Sequence, residues 1–359
     1  MEISFNPSAS PRSDEELAAV LANPGFGQHF TDHMFSTLWT PEAGWHDAKV
    51  TAYAPLSIDP ATAVLHYAQE IFEGLKAYRH EDGSIQTFRP EANGARLERS
   101  SHRLALPVLP VDDFVASIDA LVKADERWVP DAAGEKSLYL RPFMFASEVF
   151  LGVRPSKHVT YMVIASPAGA YFAGGIKPVR LWLSETYTRS GRGGMGAAKT
   201  GGNYASSLIA QQEAIEKGFD QVVFLDAEEG KYVEELGGMN LYFVYDDGSI
   251  VTPETSGTIL EGITRASIIE LAGKLGHKVD ERRISIDEWR EGVESGRIVE
   301  VFACGTAAVL TPVGVLAWNG GEVGGSEGVG EVTGKIRQAL VDIQFGRAED
   351  TFGWMHRVL

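Results

Sequence analysis

An α/β fold of the α+β type, built as two domains with the amino-terminal one smaller, is what the chain predicts, on three observations. Its 359 residues suit about two domains at roughly 150 residues each. Short β-rich runs alternate with helical stretches through both halves. Between the halves, PAGAYFAGGIK (167–177) is dense in glycine and alanine, as a linker or a loop would be. The division read from this is an arm over 1–30, a small α/β domain over 31–167, an interdomain loop over 168–180 and a larger domain over 181–359.

The elements follow in order. Ser13 and Glu16 have capping-box spacing ahead of Leu17, Val20 and Leu21, and Asn23-Pro24-Gly25 stops that short helix. SIQTFRP and VTYMVIASP read as strands, and FVASIDALVKADERWV as a helix. VRLWLSE opens the second half as a strand. A helix is expected to start after Gly202, with Ala205, Leu208, Ile209, Gln212 and Ile215 on its apolar face and Gly218 as its C′ residue. QVVFLD is a strand, and LYFVYDDGSIVTP a hairpin turning at Asp247-Gly248. ITRASIIELAGKLG is a helix ended by Gly276, and Ser285 with Glu288 makes a second capping box.

Composition removes several classes of function. The net charge is −17, a sign that repels nucleic acid and anionic membrane surfaces. Cys304 is the single cysteine, so the chain can form no internal disulfide, and no apolar run approaches the roughly 18 residues of a membrane span. The amino terminus is polar and acidic where a secretory signal would be basic and then apolar. A cytoplasmic protein without nucleic-acid or membrane partners is expected. The histidines show no metal-ligand spacing, and no metal is expected.

The chemistry turns on Gly193-Gly-Met-Gly-Ala-Ala-Lys199-Thr200. One reading is a phosphate loop one residue short of G-x-x-x-x-G-K-[ST], with Gln221–Asp226 as the second motif of a P-loop-type NTPase. Against it, Ala198 precedes the lysine where that loop needs glycine. Gly201-Gly202 follow, each costing about 1 kcal/mol in a first helical turn. The other readings are a solvated surface lysine and an amine whose pKa is lowered for covalent chemistry.

Several motifs in one order decide among these: HYAQEIFEGLKAYR, LYLRP, AKTGGNYASS, EELGGMNLYFV, ILEGITRASII and FACGTAAVLTPV. With them the chain resembles the branched-chain amino acid aminotransferases, fold-type IV enzymes of the class-IV aminotransferase family that depend on pyridoxal 5′-phosphate. The resemblance runs from about Phe30 to the carboxyl end. It implies a cofactor held between the two domains, a homodimer, and transfer of an amino group from Leu, Ile or Val to 2-oxoglutarate. D-amino acid aminotransferases and aminodeoxychorismate lyase share that fold, so cofactor and fold are the safer inference.

The resemblance also implies roles. Lys199 would carry the cofactor covalently and then act as base. Glu235 would pair with the pyridine nitrogen, and Tyr204 with the phenolic oxygen. Arg96 would hold the phosphate through its fork, helped by Gly262, Ile263 and Thr264 at a helix start and by Thr306. Tyr67, Phe72, Tyr139 and Tyr171 would line an apolar side-chain pocket. Thr306 and Ala307 would take the α-carboxylate, and Arg141 the second carboxylate of glutamate or 2-oxoglutarate. Ala308 and Thr311 stand where some relatives carry a redox-active cysteine pair.

Overall fold

A computed structural model describes residues 1–169, 177–324 and 328–359. Contacts divide the chain into two compact units: Met1–Tyr171 with Ala198–Gly201 and Asp342–Leu359, and Phe172–Ala197 with Gly202–Val341.

The first unit is a nine-stranded, almost wholly antiparallel sheet. Its strands run in the order Ser4–Phe5, Gly44–Ala52, His33–Thr40, Val159–Ala168, Ser137–Ala146, Leu75–Arg79, Ile85–Phe88 and Met355–Arg357, with Glu70–Phe72 also on Ser137–Ala146. Helices Pro90–Arg103 and Val111–Ala124 supply Leu97, Phe114, Ile118 and Leu121 to its core, against Leu138, Leu140 and Tyr161 of the sheet. Every second residue of a strand faces one side, so a sheet covered on one face by two helices needs this alternation.

Two boundaries differ from the sequence reading. The arm over 1–30 is part of this unit: Ser13 caps helix Asp14–Ala22, whose Leu17 and Val20 enter the core, and Ser4–Phe5 extends the sheet. Asp342–Leu359 also belongs here rather than with the later residues, because Met355–Arg357 pairs with Ile85–Phe88. The first unit is therefore the longer one. A periodic pattern names an element but not the distant strand it will pair with.

The second unit is a closed sheet. The order Val233–Leu236, Gln221–Leu225, Val179–Leu183, Val309–Trp318, Ile298–Gly305, Asn240–Tyr245 returns on itself, because Glu235 pairs with Asn240. The hairpin over Asp247-Gly248 and helix Ile263–Lys274 form as expected, and Ser285 caps helix Ile286–Glu294; the expected second capping box forms only by half, because the Glu288 carboxylate accepts from Arg282 and Tyr245 instead of reaching back to the cap.

Helix Gly201–Glu216 departs from expectation twice. It starts at Gly201 and so holds both glycines in its first turn. Its apolar residues also point outward: Leu208 is 64% and Ile215 56% exposed, whereas Asn203, Ser207, Ala210 and Ala214 are buried. Small side chains let a helix lie close to its neighbour. Close approach outweighed apolar area on the chosen face.

Candidate active site

Lys199 lies in the first unit, in the short segment before the helix, and the segment is tied down on both sides. Its N–H donates to Ser100 Oγ at 3.0 Å, and its carbonyl accepts from Phe72 N–H at 2.9 Å. Its Nζ stands 4.7 Å from the centre of the Phe72 ring. Burial first, and then the Arg96 guanidinium, lower the Lys199 pKa to about 8, against the raising pull of Glu73. An amine in that range is neutral in about a tenth to a fifth of molecules near physiological pH, on the order of a hundred times more often than an unperturbed lysine.

Arg96 is fixed by a buried carboxylate. Its Nε donates to Glu73 Oε1 at 2.8 Å and its Nη2 to Glu73 Oε2 at 2.7 Å, while Asn93 Nδ2 donates to the same Oε2 at 2.7 Å. This bidentate pairing uses one edge of the guanidinium, and the planar fork directs its other donors away from Glu73. Phe72, Tyr139 and Arg141 gather beside them. Arg141 stacks over the Phe72 ring at 4.8 Å and donates to Tyr139 Oη at 3.0 Å. Arg141 Nε is buried without a hydrogen-bond partner among the described residues.

Tyr67 stands in different surroundings: it is 38% exposed and donates to the Leu151 carbonyl at 2.7 Å. Tyr171 lies outside the described residues.

The second unit assembles the remaining residues around the strand pair that closes its sheet. Glu235 is buried and accepts from Arg189 Nη1 at 2.8 Å and from Leu260 N–H at 2.9 Å. Its neighbour Glu234 faces the other way, as strand alternation requires, and accepts from Thr258 Oγ1. Burial pushes the Glu234 carboxyl up. Arg189 also donates to the Thr258 carbonyl at 3.1 Å, so both glutamates and Arg189 grip the loop that leads to Gly262.

Gly262 is the N-cap of helix Ile263–Lys274, whose first residues Ile263 and Thr264 are buried. A Cβ at 262 would fall 2.2 Å from Asn240 Oδ1, so this start is tight because the residue is glycine. First-turn N–H groups and the helix dipole make such a start suited to an anion. Tyr204 borders the turn between strands Val233–Leu236 and Asn240–Tyr245, with Cε1 3.7 Å from where a Gly238 Cβ would stand. Thr306 and Ala307 form the turn after Gly305, which lies against Gly238 and Met239.

The phosphate-loop reading fails on these facts. Lys199 is outside the helix, its backbone held by Phe72 N–H and Ser100 Oγ. Asp226, the candidate metal-binding aspartate of that reading, spends its carboxylate on the N–H groups of Glu229, Lys231 and Tyr232 at 2.7–2.9 Å. Among the described residues no group of His, Cys, Asp and Glu could hold a metal ion, and no helix is long and apolar enough to cross a membrane.

Glu70, Glu73 and Arg189 escaped the sequence reading as functional residues. Each acts on a residue distant in the chain. Glu70 and Glu73 lie within the motif HYAQEIFEGLKAYR, which was the only signal that could have drawn attention to them.

A two-unit mixed fold with a buried, easily neutralised lysine is one that group-transfer enzymes use, and residues 70–316 match the family model described as amino-transferase class IV. The chain belongs to that family. It is 61% identical over 355 residues to the probable branched-chain-amino-acid aminotransferase of Streptomyces coelicolor, covering 99% of this chain and 98% of that one. Among solved structures it is similar to the branched-chain aminotransferase of Thermoproteus uzoniensis with norvaline, at TM-score 0.76 and 26% identity, covering 91% of this chain and 100% of that one. It is also similar to the branched-chain amino acid aminotransferase of Escherichia coli, at TM-score 0.74 and 30% identity, covering 90% of this chain and 99% of that one.

Proposed function

We propose that the protein is a pyridoxal 5′-phosphate-dependent aminotransferase that moves the amino group of L-leucine, L-isoleucine or L-valine to 2-oxoglutarate. The observation that carries this is the buried Lys199 amine at a pKa of about 8, at the position that the family uses for its covalent lysine.

The donor set fits the group. Lys199 offers a primary amine neutral enough to bond an aldehyde. Arg96, held side-on by Glu73, offers a rigid fork for phosphate, and the start of helix Ile263–Lys274 offers N–H groups to the same kind of anion. Glu235, a buried carboxylate, suits a protonated ring nitrogen, and Tyr204 a phenolic oxygen. When bound, the group supplies a sink for the electron pair left at the substrate Cα.

The chain's own residues do the rest. Lys199 Nζ takes the proton from the substrate Cα, which an amine can do only when unprotonated. Phe72 and Tyr139 bury a branched aliphatic side chain without unmet polar demand. Arg141, with its buried Nε, takes the second carboxylate when glutamate or 2-oxoglutarate binds. Thr306 and Ala307 hold the α-carboxylate through backbone N–H groups. We assign the active form to a homodimer; apolar residues on the surface of the first unit support this, among them Leu151 and Val153, the latter 90% exposed.

Absorption spectra with and without L-leucine test the reading, followed by borohydride reduction and peptide mapping. An adduct on Lys199 and turnover of L-leucine are expected. An adduct on another residue, or turnover of D-alanine alone, overturns it. Sedimentation measures the dimer.

A further inference from the structure

The segment Ala198–Gly201 has a further tether that the proposed reaction does not use. Glu70 Oε1 accepts from Gly201 N–H and, at 3.3 Å, from Thr200 Oγ1, and Thr200 is fully buried. Glu70 and Phe72 are two residues apart on strand Glu70–Phe72, so they share a face. One puts its carboxylate on the carboxyl side of Lys199, and the other puts its ring under Nζ. The fit is specific, because a Cβ at position 201 would stand 2.5 Å from Glu70 Oε1. Glycine at 201 weakens the helix it begins, and it is what admits the carboxylate.

Burial pushes the Glu70 carboxyl up, opposed by the Gly201 N–H, the Thr200 hydroxyl and the charge of Arg141. A partly buried carboxylate is unfavourable unless hydrogen-bonded, and here its partners are the two residues that follow Lys199. Carboxylates are favoured at a helix start by the unpaired N–H groups and the dipole. In most helices the cap is a local residue, whereas this helix, Gly201–Glu216, takes one from a strand about 130 positions earlier in the chain.

We infer that Glu70 is a positioning residue for Lys199: by capping the helix from strand Glu70–Phe72 it fixes the backbone beyond the lysine, so that Nζ stays over the Phe72 ring. The inference rests on the reading of Lys199 as the covalent lysine. The effect is geometric, since an acceptor oxygen is what the two bonds require.

The experiment compares wild type with Glu70→Gln, Glu70→Ala and Gly201→Ala. Four quantities are measured: affinity of the cofactor-free protein for pyridoxal 5′-phosphate, the pH midpoint of absorbance for the Lys199-bound cofactor, kcat and KM for L-leucine, and Tm. Glu70→Gln keeps an acceptor and is expected within about threefold of wild type in affinity and kcat. Glu70→Ala is expected to lose about tenfold in each with KM little changed, and to move the absorbance midpoint, because small displacements of a reacting group cost one to two orders of magnitude. Gly201→Ala drives a methyl group against Glu70 Oε1 and is expected to reproduce those losses with Glu70 intact; it stands in if Glu70→Ala does not fold. A lower Tm with kcat, affinity and midpoint unmoved overturns the inference, leaving Glu70 an ordinary cap. Equal losses in Glu70→Gln and Glu70→Ala also overturn it, since charge would then be what matters. A wild type with no Lys199-bound cofactor counts against the function itself, a result none of the variants can mimic.

Discussion

Each unit buries one arginine–glutamate pair beside a residue singled out by motif, and the two pairs are reversed. In the first unit the motif residue is the cation, Arg96, and Glu73 holds it; in the second it is the anion, Glu235, and Arg189 holds it. All four side chains are at least nine-tenths buried. Buried pairs of this kind give little net stability over apolar residues of the same shape, but breaking one strands a charge. What they provide is direction. Glu73 takes the Nε–Nη2 edge of Arg96, which fixes where the other edge points. Arg189 and Leu260 N–H both take Glu235 Oε1, which fixes how that carboxylate is turned. A buried cation held by an anion and a buried anion held by a cation thus have the same construction with the signs exchanged.

The comparison can be broken most severely at Lys199, which only the first unit carries. Lys199→Met is expected to lower kcat for L-leucine by about 10⁴-fold or more while the protein stays folded; a variant within tenfold of wild type would remove the distinction between the units. Next come the pairs themselves. Glu73→Ala and Arg189→Ala are each expected to destabilise by about 3–5 kcal/mol in urea unfolding. The double change Glu73→Leu with Arg96→Leu should destabilise less than Glu73→Ala alone, because no charge is left unpaired. If either single variant is neutral, that pair is not desolvated as described.

A smaller effect is a dependence on pH found in the first unit. Lys199 has a folded pKa of about 8 against roughly 10.4 in an unfolded chain. Between those values the unfolded state holds a proton that the folded state lacks, so stability of the cofactor-free protein rises with pH across that window and this contribution is flat below pH 8. Urea midpoints of wild type relative to Lys199→Met, taken from pH 7 to 10, should show the rise; parallel curves would contradict the lowered pKa. Smallest is Ser13→Ala, expected to cost about 1 kcal/mol through loss of the cap and to leave kcat unchanged.

Much of this was legible in the sequence. Local signals did well wherever one residue decides a turn or a cap, as with Ser13, Ser285 and Asp247-Gly248. Strand alternation by itself separates Glu234 from Glu235. Signals failed where the deciding partner was distant. Gly201 and Gly202 looked like helix breakers, and nothing local reveals that Glu70 needs the space a side chain at 201 would fill. Leu208 and Ile215 looked like a buried stripe, yet the helix packs through Ala210 and Ala214. Glu73 and Arg189 carry no local mark of their own, because a buried counter-ion is defined by the group it faces.

Pairing between Met355–Arg357 and Ile85–Phe88 also bears on biogenesis. During synthesis the early strand must wait with an open edge until nearly every later residue has left the ribosome, and open edges recruit strands from other chains. The second unit's residues are all made within that interval. The unit bearing Lys199 is thus the last to be completed, and shortening the chain at its late end would expose a sticky border on the earliest-made part.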